Sequence, residues 1–406
     1  MDDLLLLVHR IPYPPNKGDK IRSYHLLKYL AQHYRVHLAT FVDDEDDWQH
    51  QPRVEALCAS SHFARLNPAL ARVRSLGALL ANRSLSLDYY RDAGLARWVE
   101  NTVRQQAIRR VLVFSSPMAQ YAQVAGARCV VDFCDVDSDK WRQYAEKKSW
   151  PMSKLYAHEA RQLLRYERRV AAQTDASLFV SKPEAELFKQ LAPEVAGKTG
   201  FFNNGVDTDY FSPDPAWASP FKAGEQALVF CGAMDYWPNI DAVSWFAREI
   251  FPVIRARHPQ ALFAIVGARP SAEVQQLASI PGVMVTGTVP DVRPYVAHGA
   301  VCVAPLRIAR GIQNKVLEAM SMARTVVVTP QALEGIEALP GRDLQLADDA
   351  TAFAARVCAA LALPEPAMGR AARDLVEHLY GWSSNLAPVV SLLEQGTPER
   401  QTWNQA

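Results

Sequence analysis

Residues 307–322 read Arg-Ile-Ala-Arg-Gly-Ile-Gln-Asn-Lys-Val-Leu-Glu-Ala-Met-Ser-Met, and the architecture of the chain follows from them. Just before them, 300–305 (Ala-Val-Cys-Val-Ala-Pro) is a short apolar run rich in β-branched residues, which predicts a buried strand; 325–328 (Thr-Val-Val-Val) predicts another. Between the two, Gly311 permits a tight turn, Asn314 is placed as an N-cap, and 315–322 carries good helix formers with apolar residues at 316, 317, 319, 320 and 322. The unit is strand, loop, helix, strand. Its loop lies at the carboxyl end of the strand, where open α/β sheets bind ligands, and the first-turn N–H groups of its helix face an anion. Lys315 and Glu318 are three apart and share one helix face. A cation for phosphate beside a carboxylate for sugar hydroxyls points to a nucleotide-sugar site. On a solvated helix the same pair would mean little; the strand end and glycine turn before it favour the site.

The same alternation runs outward in both directions. In the first half, strands are predicted at 4–8, 36–41, 62–66, 110–114, 129–133, 176–180 and 199–202, with helices at 20–33, 95–106 and 183–190. The acidic run Asp43-Asp44-Glu45-Asp46-Asp47 reads as a solvated turn leading into a helix. Pro213, Pro215 and Pro220 then interrupt regular structure. The second half restarts with strands at 227–231, 262–266, 283–285 and 301–304 and a helix at 240–254. The fold class is therefore α/β, with two Rossmann-like domains and a ligand cleft expected between them. The predicted boundaries are 1–207 for the first domain, 208–225 for a linker, 226–380 for the second domain, and 381–406 for a C-terminal helix returning toward the first, then a tail.

At 406 residues with 49% hydrophobic content the chain can fill two cores. Lys+Arg 44 against Asp+Glu 43 gives a net charge of +1, so no global field favours nucleic acid. The six cysteines (58, 129, 134, 231, 302, 358) form no C-x-x-C pair and mostly sit in apolar runs, as buried thiols in a reducing cytoplasm would. No run reaches spanning length, and 2–10 reads as neither signal peptide nor membrane span; any membrane contact is expected to be peripheral. The first strand is not followed by G-x-G-x-x-G, which disfavours a nicotinamide dehydrogenase.

Several strings carry a resemblance to a family. They are Pro14-Pro15-Asn16-Lys17-Gly18-Asp19 with Arg22, Val180-Ser181-Lys182, Asn204-Gly205-Val206-Asp207, Ile265-Val266-Gly267, Gly287-Thr288-Val289-Pro290-Asp291, and the 310–318 element itself. With them the chain resembles, over nearly its full length, the retaining glycosyltransferases of family 4, which have the GT-B fold. Gly311-Ile312-Gln313-Asn314-Lys315-Val316-Leu317-Glu318-Ala319-Met320 and the 131–141 string (Val-Asp-Phe-Cys-Asp-Val-Asp-Ser-Asp-Lys-Trp) are similar to those of sugar transferases encoded with exosortase-type exopolysaccharide systems.

The resemblance implies that Glu318 binds ribose hydroxyls and Lys315 the donor diphosphate. Gly311 and Ile312 would offer backbone amides, with Gln313 and Asn314 in the same donor-binding set. The main chain near Val289 to Val292, Asp291 included, would meet the base, and Gly18, with Asp19, would bring the first-domain loop to the phosphates. It further implies a nucleotide-diphosphate sugar as co-substrate, no metal or other cofactor, and retention of anomeric configuration. Two departures stand out. The family's first glutamate is Arg310 here, and the cation usual after the first strand of the second domain is missing from the 232–239 loop (Gly-Ala-Met-Asp-Tyr-Trp-Pro-Asn). Arg307 or Arg310 is then expected to supply that charge. Alternatively Arg310 selects a donor bearing a carboxylate, or is a surface arginine on a loop.

Asp132, Asp135, Asp137 and Asp139 crowd a predicted strand end, and Asp135-Val136-Asp137 has D-x-D spacing. A metal site, a capping role, and a role beside the acceptor hydroxyl or donor sugar are the readings; the family comparison favours the last, with Asp135 and then Asp137 as catalytic candidates beside Lys315. Between 140 and 169 the basic residues Lys140, Arg142, Lys147, Lys148, Lys154, Arg161, Arg165, Arg168 and Arg169 face only Glu146, Glu159 and Glu167, with Trp141, Tyr144, Trp150 and Tyr156 interleaved. This is either a solvated helical face or a surface for anionic lipid at the inner face of the cell membrane. The histidines show no zinc spacing, His9 is placed to line the cleft, and Trp237 reads as core or loop packing. The expected function is transfer of a sugar from a nucleotide-diphosphate donor to a saccharide or polyprenyl-linked acceptor in exopolysaccharide synthesis. A non-catalytic nucleotide-sugar binder and a nucleotide-sugar epimerase are the alternatives.

Overall fold

The computed structural model describes residues 1–15, 17–122, 124, 126–214, 216–309 and 312–395. Its contacts divide the chain into two units, Met1–Asn204 with the described residues from Asn385 on, and Gly205–Ser384. The first is a parallel sheet of seven strands: β1 Asp2–Val8, β2 Tyr34–Val42, β3 Ser60–Arg65, β4 Arg110–Phe114, β5 Arg128–Cys134, β6 Ala176–Phe179 and β7 Thr199–Phe201. The second has six: β8 Gln226–Cys231, β9 Ala261–Val266, β10 Val283–Gly287, β11 Val301–Ala304, β12 Val326–Val328 and β13 Gln345–Leu346. The orders are β3-β2-β1-β4-β5-β6-β7 and β10-β9-β8-β11-β12-β13. Both sheets reverse once, between β1 and β4 and between β8 and β11, and such a switch point opens a crevice at the carboxyl ends of its strands.

The predicted strands form because their apolar runs are continuous rather than alternating. Leu4, Leu5, Leu6 and Leu7 are all 0% exposed, as strands covered on both faces require. Phe133, Phe179 and Phe188 pack in the first unit with centroids 4.8 to 5.6 Å apart. The helix Trp382–Glu394 ends against the first sheet, where Glu394 accepts hydrogen bonds from Tyr34 at 2.6 Å and Arg110 at 2.7 Å.

Three local expectations are corrected. The acidic run is not wholly solvated: Asp43 pairs with Arg10 and Asp47 with buried Lys20 at 2.6 Å, leaving only the middle three residues exposed. The helix predicted over 240–254 is three pieces, Trp237–Trp245, a π turn at Phe246–Ile250, and Phe251–Arg257; Pro252 has no N–H with which to continue the regular ladder. The helix after β11 is Asn314–Ser321, so the cap position belongs to Gln313 and Asn314 is the first helical residue.

A fully buried ion pair pins the first unit. Arg22, on the helix Gly18–Leu30, donates to both carboxylate oxygens of Asp132 on β5 at 2.7 and 3.1 Å, and both side chains are 0% exposed. Its remaining nitrogen donates to the Phe202 carbonyl at 3.1 Å and to Asn204 at 2.9 Å, and the guanidinium lies 3.5 Å above the Phe202 ring. Removing one member strands the other charge in the interior. We expect Arg22→Ala to lower stability in urea denaturation by ~3–5 kcal/mol, whereas Arg22→Met with Asp132→Leu loses much less; equal losses would show that the two charges do not act as a pair.

Candidate functional site

In the second unit the switch-point crevice lies between the end of β8 and the end of β11, and Lys315 reaches into it from the first turn of its helix. Its ammonium donates to Oδ1 of Asn239 and stands 4.3 Å from the centre of the Phe230 ring. Asn239 is held in turn by a 2.9 Å bond from its amide to the Ala233 carbonyl. Two glycines make the approach possible. A Cβ on Gly232 would sit 2.7 Å from Nδ2 of Asn239 and 3.1 Å from the Lys315 ammonium. Gly267, with φ +155°, brings the end of β9 against β8 so closely that a Cβ would stand 1.7 Å from the Gly232 carbonyl oxygen.

Burial dominates the electrostatics here. It brings the Lys315 ammonium down to about 8, opposed by Cys231 and Glu318, and pushes the Glu318 carboxyl up to about 7, opposed by Lys315. Both groups therefore titrate near neutrality, and an arriving diphosphate would hold Lys315 charged. The Gln313 side chain makes no cap bond to the first-turn N–H groups. Those groups add a further positive end beside Lys315.

The loop thought to lack its cation thus supplies Asn239, which orients Lys315 from 76 residues away in sequence. Of the two arginines proposed to replace that cation, Arg307 is held by Asp241, with Nε to Oδ2 at 3.0 Å, and Arg310 lies outside the described residues, as does Gly311. Ile312, Val289 and Val292 pack on the core of this unit, which fixes the main chain they carry. Asp291 is engaged by Arg293 at 2.6 to 3.0 Å, and the Arg293 guanidinium lies 3.6 Å above the Tyr210 ring. Tyr210, placed by the sequence in a linker, thereby joins this group; its hydroxyl titration is also raised by Glu318, after burial and Asp291. Trp237 is 59% exposed, contrary to the packing role expected of it.

The first unit carries a second set of candidates at its own switch point. His9, after β1, bonds Ser115, after β4, at 3.3 Å, and its other nitrogen is 3.5 Å from Asp19. Asp19 also accepts from Arg10 at 2.8 Å; burial works against ionisation, but His9 and Arg10 outweigh it and hold the carboxyl well below its usual range. A Cβ on Gly18 would meet no protein atom within 4 Å. The four aspartates of 132–139 separate: Asp132 belongs to Arg22, Asp139 to Arg142 at 2.6 Å, while Asp135 and Asp137 share the Lys140 ammonium at 2.6 and 3.4 Å. Burial raises Asp137 despite Lys140. Among the described residues no group of three or more His, Cys, Asp or Glu is arranged to hold a metal ion.

One consequence concerns pH. Glu318 has a folded value of about 7, above the 4.5 of a free glutamate, so its contribution to stability is complete below about pH 4.5 and lost as pH rises through 7. Glu318→Gln should match wild type in melting temperature at pH 5 and exceed it at pH 8.5 in the absence of nucleotide. A wild type more stable than the variant at pH 8.5 would contradict this electrostatic picture.

Residues 225–362 match the family described as glycosyl transferases group 1. Solved structures similar over nearly the whole chain include sucrose-phosphate synthase from Thermosynechococcus elongatus, with TM-score 0.62 and 16% identity over 97% of this chain and 99% of that one. Anabaena HepE in complex with UDP gives 0.61 and 16%, over 96% and 100%. WaaG, a glycosyltransferase involved in lipopolysaccharide biosynthesis, gives 0.57 and 14%, over 97% and 100%. No curated protein sequence matches the chain. The likeness in structure is one of fold, two parallel-sheet Rossmann-like domains of the GT-B kind, and together with the group 1 match over the second unit it supports a GT-B glycosyltransferase.

Proposed function

We propose that the protein transfers a sugar from a nucleotide-diphosphate donor to a hydroxyl of a saccharide acceptor, with Lys315 binding the diphosphate and Glu318 the ribose. The observation that carries this is the Lys315–Asn239 contact at the β8/β11 switch point, inside the stretch that matches the group 1 glycosyl transferases. HepE has also been solved with UDP-glucose, which supports a uridine donor. As the sugar leaves, negative charge grows on the departing diphosphate, and a preorganised ammonium with first-turn N–H groups stabilises it without reorganisation. Retention follows from the resemblance to family 4: the leaving phosphate takes the acceptor's proton on the same face, so no strong protein base is needed. Asp135 and Asp137, which share the Lys140 ammonium, would then orient the acceptor rather than deprotonate it.

Binding of UDP measured by calorimetry tests the donor site. Lys315→Met removes a charge-assisted bond and should weaken UDP by about 10- to 100-fold. In wild type the affinity should fall as pH rises above 8, by up to about tenfold per unit, because the free enzyme's Lys315 loses its proton there. Lys315→Arg should flatten that fall. Failure of UDP, GDP and dTDP alike to bind would sink the donor reading; binding without transfer to any saccharide would leave a nucleotide-sugar binder.

A second element of the proposal, peripheral membrane contact, rests on the turn between the helices Asp137–Lys147 and Met152–Gln173. Trp150 is 78% exposed there and Tyr144 50%, with Lys147, Lys148 and Lys154 around them. Glu159 and Glu167 are turned inside, where Glu159 caps residues 84–86 and Glu167 accepts from Ser138, so the surface is more basic than its composition implies. No described helix is long and apolar enough to cross a membrane. The protein should sediment with anionic liposomes at low salt, and Trp150→Ala should reduce the bound fraction; the absence of binding to such liposomes would remove this element and leave the donor site untouched.

A further inference from the structure

The helix Trp237–Trp245 has two working faces. Asn239 and Asp241 are two residues apart, or about 200° around the axis, so the side that orients Lys315 and the side that carries Asp241 point in nearly opposite directions. On the Asp241 side lies a cavity of about 200 Å³, bounded by this helix, Glu273 and Arg307. We propose that it is a second binding site, separate from the donor crevice, and that its ligand is one neutral pyranose ring of a saccharide.

The chemistry of the walls selects that ligand. Trp237 leaves an indole largely uncovered, a flat apolar face of the kind on which the C–H side of a sugar ring stacks. Around it the polar groups are held in fixed positions. Arg307 is fastened to Asp241, Ser244 donates to Glu273 at 2.9 Å, and the Trp245 indole N–H donates to Glu249 at 3.2 Å. Arg248 is exposed at the same wall. Two arginines against three carboxylates leave this wall net negative, which disfavours phosphate or a nucleotide. Fixed donors and acceptors beside an aromatic face suit hydroxyls, each of which can do both. The volume falls below the roughly 300–1,000 Å³ of sites for larger ligands and fits a single ring. The site asks nothing of the nucleotide, so it goes beyond the donor reading. Through Arg307 it adjoins the 307–322 stretch, where a bound ring would hold a longer chain close to the donor loop.

Saturation-transfer NMR on the UDP-saturated protein tests it, with methyl α-glucopyranoside, methyl α-galactopyranoside, methyl α-mannopyranoside and maltotriose as probes. At least one probe should receive saturation. Trp237→Ala should weaken it about tenfold or more, the effect of losing one stacking face, with UDP affinity unchanged within about twofold. Glu273→Ala and Arg248→Ala, at two further lining residues, should also weaken the probe and spare UDP, and they decide the matter if Trp237→Ala fails to fold. Silence from all four probes would overturn the proposal, as would a signal that survives in all three variants. UDP displacing the sugar, or Trp237→Ala weakening UDP as much as the probe, would overturn it too, because the cavity would then be part of the donor crevice.

Discussion

A lysine ammonium held in a partly dehydrated crevice is the constraint from which the second unit's architecture can be understood. Lys315 keeps its place because Phe230 offers a ring face beneath it and Asn239 an oxygen beside it. Those groups lie on β8 and on the helix that follows it, so they meet Lys315 only if the loops after β8 and β9 close up without side chains. Gly232 and Gly267 allow that closure. The β10-β9-β8-β11-β12-β13 order then decides where the crevice opens, because the chain leaves β8 and β11 on opposite faces of the sheet. Local backbone freedom, strand order and the electrostatics of one side chain are successive consequences of the same packing.

The first unit repeats the sheet order but resolves its charges differently. Its fully buried Arg22 spends every donor on Asp132, on Asn204 and on the main chain near the end of the sheet. At its switch point the groups are weakly connected by comparison, with His9 3.3 Å from Ser115 and 3.5 Å from Asp19. Apo geometry in acid–base sites is commonly loose and tightens on ligand binding. The two units thus differ in how their charges are arranged: the second holds one lysine ammonium against Asn239, and the first gathers His9, Ser115 and Asp19 at its switch point.

Much of this was legible in the sequence because parallel strands are buried on both faces and read as unbroken apolar runs, as 4–7 and 301–304 do. The helix after β11 was legible too, with its start displaced by one residue from the one expected. What escaped depends on distance in sequence. Asn239 is 76 residues from Lys315, and nothing local to either announces the contact. Asp43 and Asp47 look like surface charge until Arg10 and Lys20 are seen beside them. β13 is two residues long and has no period to detect. Trp237 was misjudged because hydrophobicity alone cannot distinguish a core tryptophan from one left open on a helix.

A crystal structure of the protein with UDP decides whether nucleotide binds at Lys315 and Glu318. The β-phosphate should lie against the Lys315 ammonium and the first-turn N–H groups of Asn314–Ser321, with the ribose hydroxyls on Glu318. A nucleotide seated instead among His9, Ser115 and Asp19 of the first unit, with Lys315 still on Asn239 and no phosphate near it, would contradict it.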